Sequence, residues 1–260
     1  MTYIQIAFIT RMKENTKHMN SILVNQLATD FCCTAEDVSS KENVFTVYTP
    51  LPGRRIFKEG ECFLKIAAVN GKLLFSGKEG IITAVKGRYE KEAGAWFMEY
   101  KKLKELEEML LPFGCRLGQA HPFYIAEEKK PVETGNCEIR VYRGDELEQF
   151  RGDGRFDEAF LFEELPKDEI GIAAWKDGQL LGMAGATGDS PEMWQIGINV
   201  MPEAEGKGIG SMLVALLRNE ILDLGKLPFY GTSMSHIASQ NVAVKAGFRP
   251  AWAELNFEKA

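Results

Sequence analysis

From Trp194 to Val200 the side chains alternate, with Trp194, Ile196, Ile198 and Val200 on one face and Gln195, Gly197 and Asn199 on the other. That is the period-two signature of a strand. Pro202 stops it, glycines follow at 206, 208 and 210, and Ile209, Leu213, Leu216, Leu217, Ile221 and Leu224 then recur at helical spacing up to Gly225. A strand running through a glycine-rich turn directly into a helix constrains the fold more than any other stretch of the chain. The glycines let backbone N–H groups approach an anion without Cβ obstruction, and the helix dipole attracts negative charge there. Two familiar phosphate loops do not fit: Lys207 is followed by Gly208 where a Walker A loop needs Ser or Thr, and Ser211 stands where a dinucleotide fingerprint needs its third glycine.

The second half supplies neighbours for this unit. A strand is expected at Cys137–Tyr142, then two short helical patterns reaching Leu165, then strands at Ile170–Trp175 and Gln179–Ala186 joined by the turn Asp177-Gly178. A strand at Phe229–Thr232, a helix at Ala238–Lys245 and a strand at Trp252–Phe257 complete it. Upstream, Met19, Ile22, Leu23 and Leu27 mark an amphipathic helix between Met12 and Leu27. Phe45–Tyr48 reads as a strand, and Leu64–Phe75 as a hairpin around Asn70-Gly71. Helices are expected at Glu79–Glu90 and Lys101–Leu111, and a strand at Gln119–Ile125. The charged, proline-ended run Glu127-Glu128-Lys129-Lys130-Pro131 has the composition of a domain connection. It divides the chain into 1–130 and 131–260.

Ile198-Asn199-Val200-Met201-Pro202 followed by Glu205-Gly206-Lys207-Gly208-Ile209-Gly210-Ser211 resembles motif A of the GNAT acyltransferase superfamily: an aliphatic strand, Val-x-Pro, then Q/R-x-x-G-x-G/A opening a helix. Ser239-Gln240-Asn241-Val242-Ala243-Val244-Lys245-Ala246-Gly247-Phe248 is similar to the family's motif B helix, which ends in Gly-Phe. The resemblance covers about residues 137–257. It implies a mixed α/β fold, with a GNAT-like central sheet flanked by helices, and an N-acetyltransferase that moves an acetyl group from acetyl-CoA to a primary amine of a small molecule or protein. It assigns pantetheine pairing to Ile198, Asn199 and Val200, and pyrophosphate binding to the amides of Gly206, Lys207, Gly208, Ile209, Gly210 and Ser211. Gly208 and Gly210 are expected to be the positions where a side chain costs most in cofactor affinity. The oxyanion would be stabilised by a strand amide near Val200. Two departures stand out: Glu205 replaces the usual Gln or Arg, and no tyrosine lies between His236 and Phe248 to protonate the departing thiolate. The alternative reading is therefore an acyl-CoA-binding regulatory protein that has lost catalysis.

Attack on a thioester needs a neutral amine, hence a base. Glu192 before the central strand, Asp189 in the preceding turn and His236 ahead of motif B should border the splayed strands and are the catalytic candidates. Their bland accounts are a solvated charge, a turn residue in Asp-Ser-Pro, and a loop or capping residue. Acids at 153, 157, 158, 163 and 164 fit either a cationic acceptor or a solvated acidic face.

A formal charge of −6 excludes the broad basic face of a nucleic-acid binder. No signal-like start or membrane-length apolar run is visible. The five cysteines lack CxxC spacing and the three histidines are scattered, which fits reduced thiols, no metal and a cytoplasmic protein. Ile66-Ala67-Ala68-Val69-Asn70-Gly71-Lys72-Leu73-Leu74 echoes Ile172-Ala173-Ala174-Trp175 with Asp177-Gly178-Gln179-Leu180-Leu181. The echo fits an N-terminal α/β domain that is a degenerate copy of the same fold; two aliphatic hairpins with good turn residues would also resemble each other by chance. The first half is expected to pack on the second and help shape the acceptor cleft.

Overall fold

The computed structural model describes residues 19–56 and 62–260. Of the amphipathic stretch expected over Met12–Leu27, residues 12–18 lie outside the described residues. The rest enters helix α1, Ser21–Asp30, which starts at Asn20 because its Oδ1 accepts from the Ile22 and Leu23 N–H groups. A one-turn helix α2, Ala35–Ser39, carries a capping box between Thr34 and Asp37. Then follow strand β1, Val44–Val47, the hairpin of β2, Leu64–Val69, with β3, Lys72–Gly77, and the helices α3, Glu79–Tyr89, and α4, Tyr100–Leu110. Strand β4, Cys115–Ile125, ends the first half.

The second half begins with β5, Glu138–Arg143. Only 3-10 turns, Gly144–Phe150 and Gly154–Phe156, replace the two helical patterns expected before Leu165. Gly152 and Gly154 break any longer helix, and the chain beyond runs flat against the sheet. Strands β6, Asp168–Lys176, β7, Gln179–Thr187, and β8, Met193–Val200, are followed by helix α5, Ile209–Asp223. Strand β9, Leu227–Gly231, helix α6, Ile237–Lys245, and strand β10, Arg249–Lys259, close the fold.

The ten strands of the described residues form one sheet in the order β1-β3-β2-β10-β4-β9-β8-β7-β6-β5. Pairing is antiparallel except β1 with β3 and β8 with β9. The sheet runs unbroken across residues 127–131, and β10 lies between β2 and β4 of the first half. The two echoing hairpins turn alike, with positive φ at Asn70 and Gly71 and at Asp177 and Gly178, the type I′ geometry. Their outer neighbours differ: β3 takes β1 in parallel, while β7 takes β8 antiparallel.

Helix α5 is held to the sheet by its apolar stripe. Leu213, Val214, Leu217 and Ile221 are buried among Ile172, Ala184, Ile196 and Tyr230 of the strands, each contributing about 1.5–3 kcal/mol on full burial. Arg218 fixes the register of α5 against α6, donating to the carbonyls of Ala246 and, at 3.1 Å, Lys130. On the opposite face α1 packs Leu23, Leu27 and Phe31 against Phe123, Phe229 and Trp252.

Candidate functional site

Strands β8 and β9 pair only at Met193 with Leu227, Trp194 with Pro228 and Gln195 with Phe229. Beyond that point β8 runs on to Val200 with β7 on one side and, among the described residues, no strand on the other, while β9 pairs on its far side with β4, Phe123 with Gly231 and Tyr124 with Tyr230. A gap in the ladder therefore opens at Ile196, with the strand edge along Ile198–Val200 left unpaired among the described residues. Unpaired strand edges accept an added extended ligand.

The glycine turn stands at the outer end of this gap. Gly208 holds φ +82°, a left-handed conformation, and caps α5 with no side-chain hydrogen bond, so the first-turn amides of Ile209, Gly210 and Ser211 keep the free donors of an uncapped helix start. Gly206 and Gly208 are exposed with open space where a Cβ would project. Gly210 differs from this. Its Cβ would meet Val200 Cγ2 at 3.2 Å and Val242 Cγ2 at 3.5 Å, so glycine at 210 brings α5 close to β8 and α6 and its replacement disturbs packing as well as any ligand. Lys207 folds back on the turn, donating to the Glu203 carbonyl at 2.6 Å, and Ser211 Oγ donates to Gly208 O at 3.0 Å. Glu205 is exposed.

A tyrosine stands at the inner end. Tyr230 is the first residue of β9 past its last pairing with β8; it is buried, and its Oη lies 2.9 Å from Ser239 Oγ near the start of α6. Burial raises its pKa, the Ser239 hydrogen bond opposes that, and the Glu158 carboxylate raises it further. The phenol is thus held as a neutral donor. The motif resemblance places a tyrosine within the motif B helix, whereas Tyr230 reaches that helix from the preceding strand, next to the sheet's branch point.

Glu158 approaches from the face away from α5. Gly171, Gly185 and Gly197 are cross-strand neighbours on β6, β7 and β8, and a Cβ on any of them would collide with Phe160, Ala159 or Glu158. This bare row lets residues 158–160 lie directly on the sheet. Asn199 anchors one end, its Oδ1 accepting from the N–H groups of Glu158 at 3.1 Å and Ala159 at 2.7 Å while its Nδ2 donates to Asp157. Asp168 anchors the other, accepting from Leu161 and Phe162.

The remaining candidates are dispersed. His236 is exposed and occupies the N-cap position of α6, three residues before Ser239. Glu192 is exposed at the closed end of the gap, where its carbonyl accepts from Leu227 N–H at 2.8 Å. Asp189 is buried and its Oδ1 accepts from Thr187 Oγ1 at 2.5 Å; burial pushes its pKa up to about 7. Its backbone carbonyl accepts from Ile56 N–H at 3.0 Å, tying the first half to the second beneath the gap.

The model of the acetyltransferase (GNAT) family matches residues 137–248. That stretch is a GNAT acetyltransferase domain. Its match begins one residue before β5 and ends at Phe248, just before β10, so it contains the gap, the glycine turn and the Tyr230–Ser239 pair. No curated protein matches the chain. Among solved structures, the chain is similar to an acetyltransferase from the GNAT family of Colwellia psychrerythraea at 16% identity and TM-score 0.45, covering 76% of this chain and 81% of that one. It is also similar to a GCN5-related N-acetyltransferase-like protein from Streptococcus suis at 15% identity and TM-score 0.41, covering 61% and 68%. Among the described residues, no helix is long and apolar enough to cross a membrane, and no group of three His, Cys, Asp or Glu could hold a metal ion.

Proposed function

We propose that the GNAT domain, completed by β4, is an acetyl-CoA-dependent N-acetyltransferase that acts on a primary amine by direct attack. The observation that carries the reading is the gap between β8 and β9, with uncapped amides at its outer end and a buried, protonated phenol at its inner end. These residues fit an acyl-coenzyme A. The first-turn amides of α5 suit a pyrophosphate, and the free edge of Ile198–Val200 suits the amide-bearing arm of pantetheine. When bound, the cosubstrate supplies an activated acyl thioester.

The chain's own residues supply the proton chemistry. Tyr230 Oη is the proposed donor to the leaving thiolate, with Ser239 orienting the phenol and able to relay the replacement proton. An N–H on the free edge near Val200 is the proposed stabiliser of negative charge developing in the gap. Glu158, held over β8 by Asn199, is the proposed base that takes a proton from the incoming ammonium, directly or through one water. His236 is the alternative base on the α6 side of the gap, and Glu192 lies at its closed end.

Position 208 provides the test, since a side chain there has room and Asn and Asp both tolerate left-handed backbone. Gly208→Asp places a carboxylate over the anion site and Gly208→Asn the same shape without charge. Wild type and Gly208→Asn should be stabilised by CoA, by about 2.7 kcal/mol at a hundredfold excess over Kd, and Gly208→Asp should lose most of that shift. An unchanged shift in Gly208→Asp overturns the pyrophosphate assignment. Thiol release from acetyl-CoA over a panel of amines should fall about a hundredfold in kcat for Tyr230→Phe, with CoA binding retained. CoA binding without turnover on any amine would instead favour the regulatory reading.

A further inference from the structure

A cavity of about 870 Å³ opens on the sheet face away from α5, between α1, the segment around Tyr48 to Ile56, β4 and β10. Volumes of this size suit a small molecule. It adjoins the gap: Phe123, in its wall, lies so close to Gly231 that a Cβ there would meet the ring at 2.7 Å, and Gln195 Nε2 would lie 3.6 Å from the same Cβ. Leu165 of the second half also lines it, at the end of the segment that carries Glu158. Every other wall comes from the first half or from β10.

The cavity's charges are unevenly matched. Arg55 is clasped by Asp30 and Glu254, all three buried, and Glu254 also accepts from Trp252 Nε1 at 2.6 Å. Glu258, at the rim, is paired with Arg116 at 3.0 Å. The carboxylates are therefore engaged. Lys65 is not so matched: its ammonium lies 4.9 Å from the Phe31 ring centroid and 4.7 Å from that of Tyr48, and it has no hydrogen bond or ion pair with a carboxylate among the described residues. Aromatic faces recover only part of a desolvated cation's lost hydration. Burial accordingly lowers the Lys65 pKa, the field of Asp30 only partly opposing it. Arg54 lines the same end of the cavity beside Tyr48. An anion entering here would gain a charge-assisted hydrogen bond and would relieve the unpaired cation.

Resting on the acyl-transfer reading above, we infer that the acceptor is a small amine bearing a carboxylate or phosphate, with Lys65 binding that anion in the cavity while the amine reaches the gap past Phe123. The first half thereby selects the substrate that the GNAT domain acetylates.

Matched amines test this: phenylethylamine against phenylalanine, glucosamine against glucosamine 6-phosphate, and agmatine as a cationic arm. Wild type should favour the anionic member of at least one pair by tenfold or more in kcat/KM, and which pair responds tells carboxylate from phosphate. In Lys65→Met that preference should collapse through KM with kcat kept, and in Lys65→Arg it should persist. A preference for the neutral members or agmatine overturns the inference, as does an anion preference that survives Lys65→Met. Thermal shifts with the unreactive pairs phenylpropionate against phenylpropanol and glucose 6-phosphate against glucose, without acetyl-CoA, separate the two claims. A Lys65-dependent shift with no turnover of any amine sinks acyl transfer and leaves the anion site standing. No shift from either anion, with amines still acetylated, sinks the anion site alone.

Discussion

The two arms of the sheet are built on different plans. In the arm from β5 to β9 each strand lies beside the one that precedes it in the chain, whereas the other arm runs β1-β3-β2-β10-β4. The first arm is assembled from short-range pairings that enclose the gap, the glycine turn and Tyr230. The second depends on contacts such as Asn256 with Lys65, and it supplies the cavity beside the gap. The glycine turn and Tyr230 sit where the chain folds locally, and the cavity sits where distant segments must meet.

Separating the arms should have the largest effect. Residues 131–260 alone lack β4, which pairs with both β9 and β10, so the fragment should give no cooperative thermal transition and no CoA-dependent shift. A fragment melting within a few degrees of the full chain would dissolve the contrast. A smaller effect separates single glycines. Gly197→Ala drives a methyl into the Glu158 carbonyl in a crowded layer and should cost about 3 kcal/mol. Gly71→Ala meets only backbone strain at φ +81° with open space around it and should cost about 1 kcal/mol. Urea denaturation of both variants measures the gap, and a costlier Gly71→Ala would reverse the ranking.

The most graded effect, spread over pH, belongs to Asp189, at the seam between the arms. Its folded pKa is raised to about 7, so the folded state holds a proton that the unfolded chain releases near pH 4. Stability from this group is full below about pH 4 and declines as pH rises towards 7, by at most about 1.4 kcal/mol per unit. Asp189→Asn should flatten the stability profile across that window. Superimposable profiles for variant and wild type would show that Asp189 titrates normally.

The strands and helices were mostly legible because alternation and helical spacing are local signals, and the type I′ turns at Asn70-Gly71 and Asp177-Gly178 were written in their residues. Neighbour order was not legible in the second arm, since nothing local in Trp252–Phe257 says that β2 and β4 flank it. At the site, the glycine turn between β8 and α5 is legible in the residues, whereas the packing of Gly210 against Val200 and Val242 depends on tertiary contacts. The role of Gly171, Gly185 and Gly197 depends on the register of three strands, which no single segment encodes. Nothing local marks Tyr230, since a side chain can reach the gap from the strand as well as from the helix, and only the tertiary arrangement brings it to Ser239.

The place of β10 has a consequence for biosynthesis. Among the described residues it follows the other nine strands in the chain, yet it fills the slot between β2 and β4, so all nine must leave the ribosome before that slot can close. Until then the nascent chain carries two open strand edges, which are templates for pairing with a neighbouring molecule. Charged side chains guard them: Lys65 on β2 and Arg116 on β4. Lys65, which later lines the cavity beside the gap, would thus first protect the unfinished sheet against wrong partners.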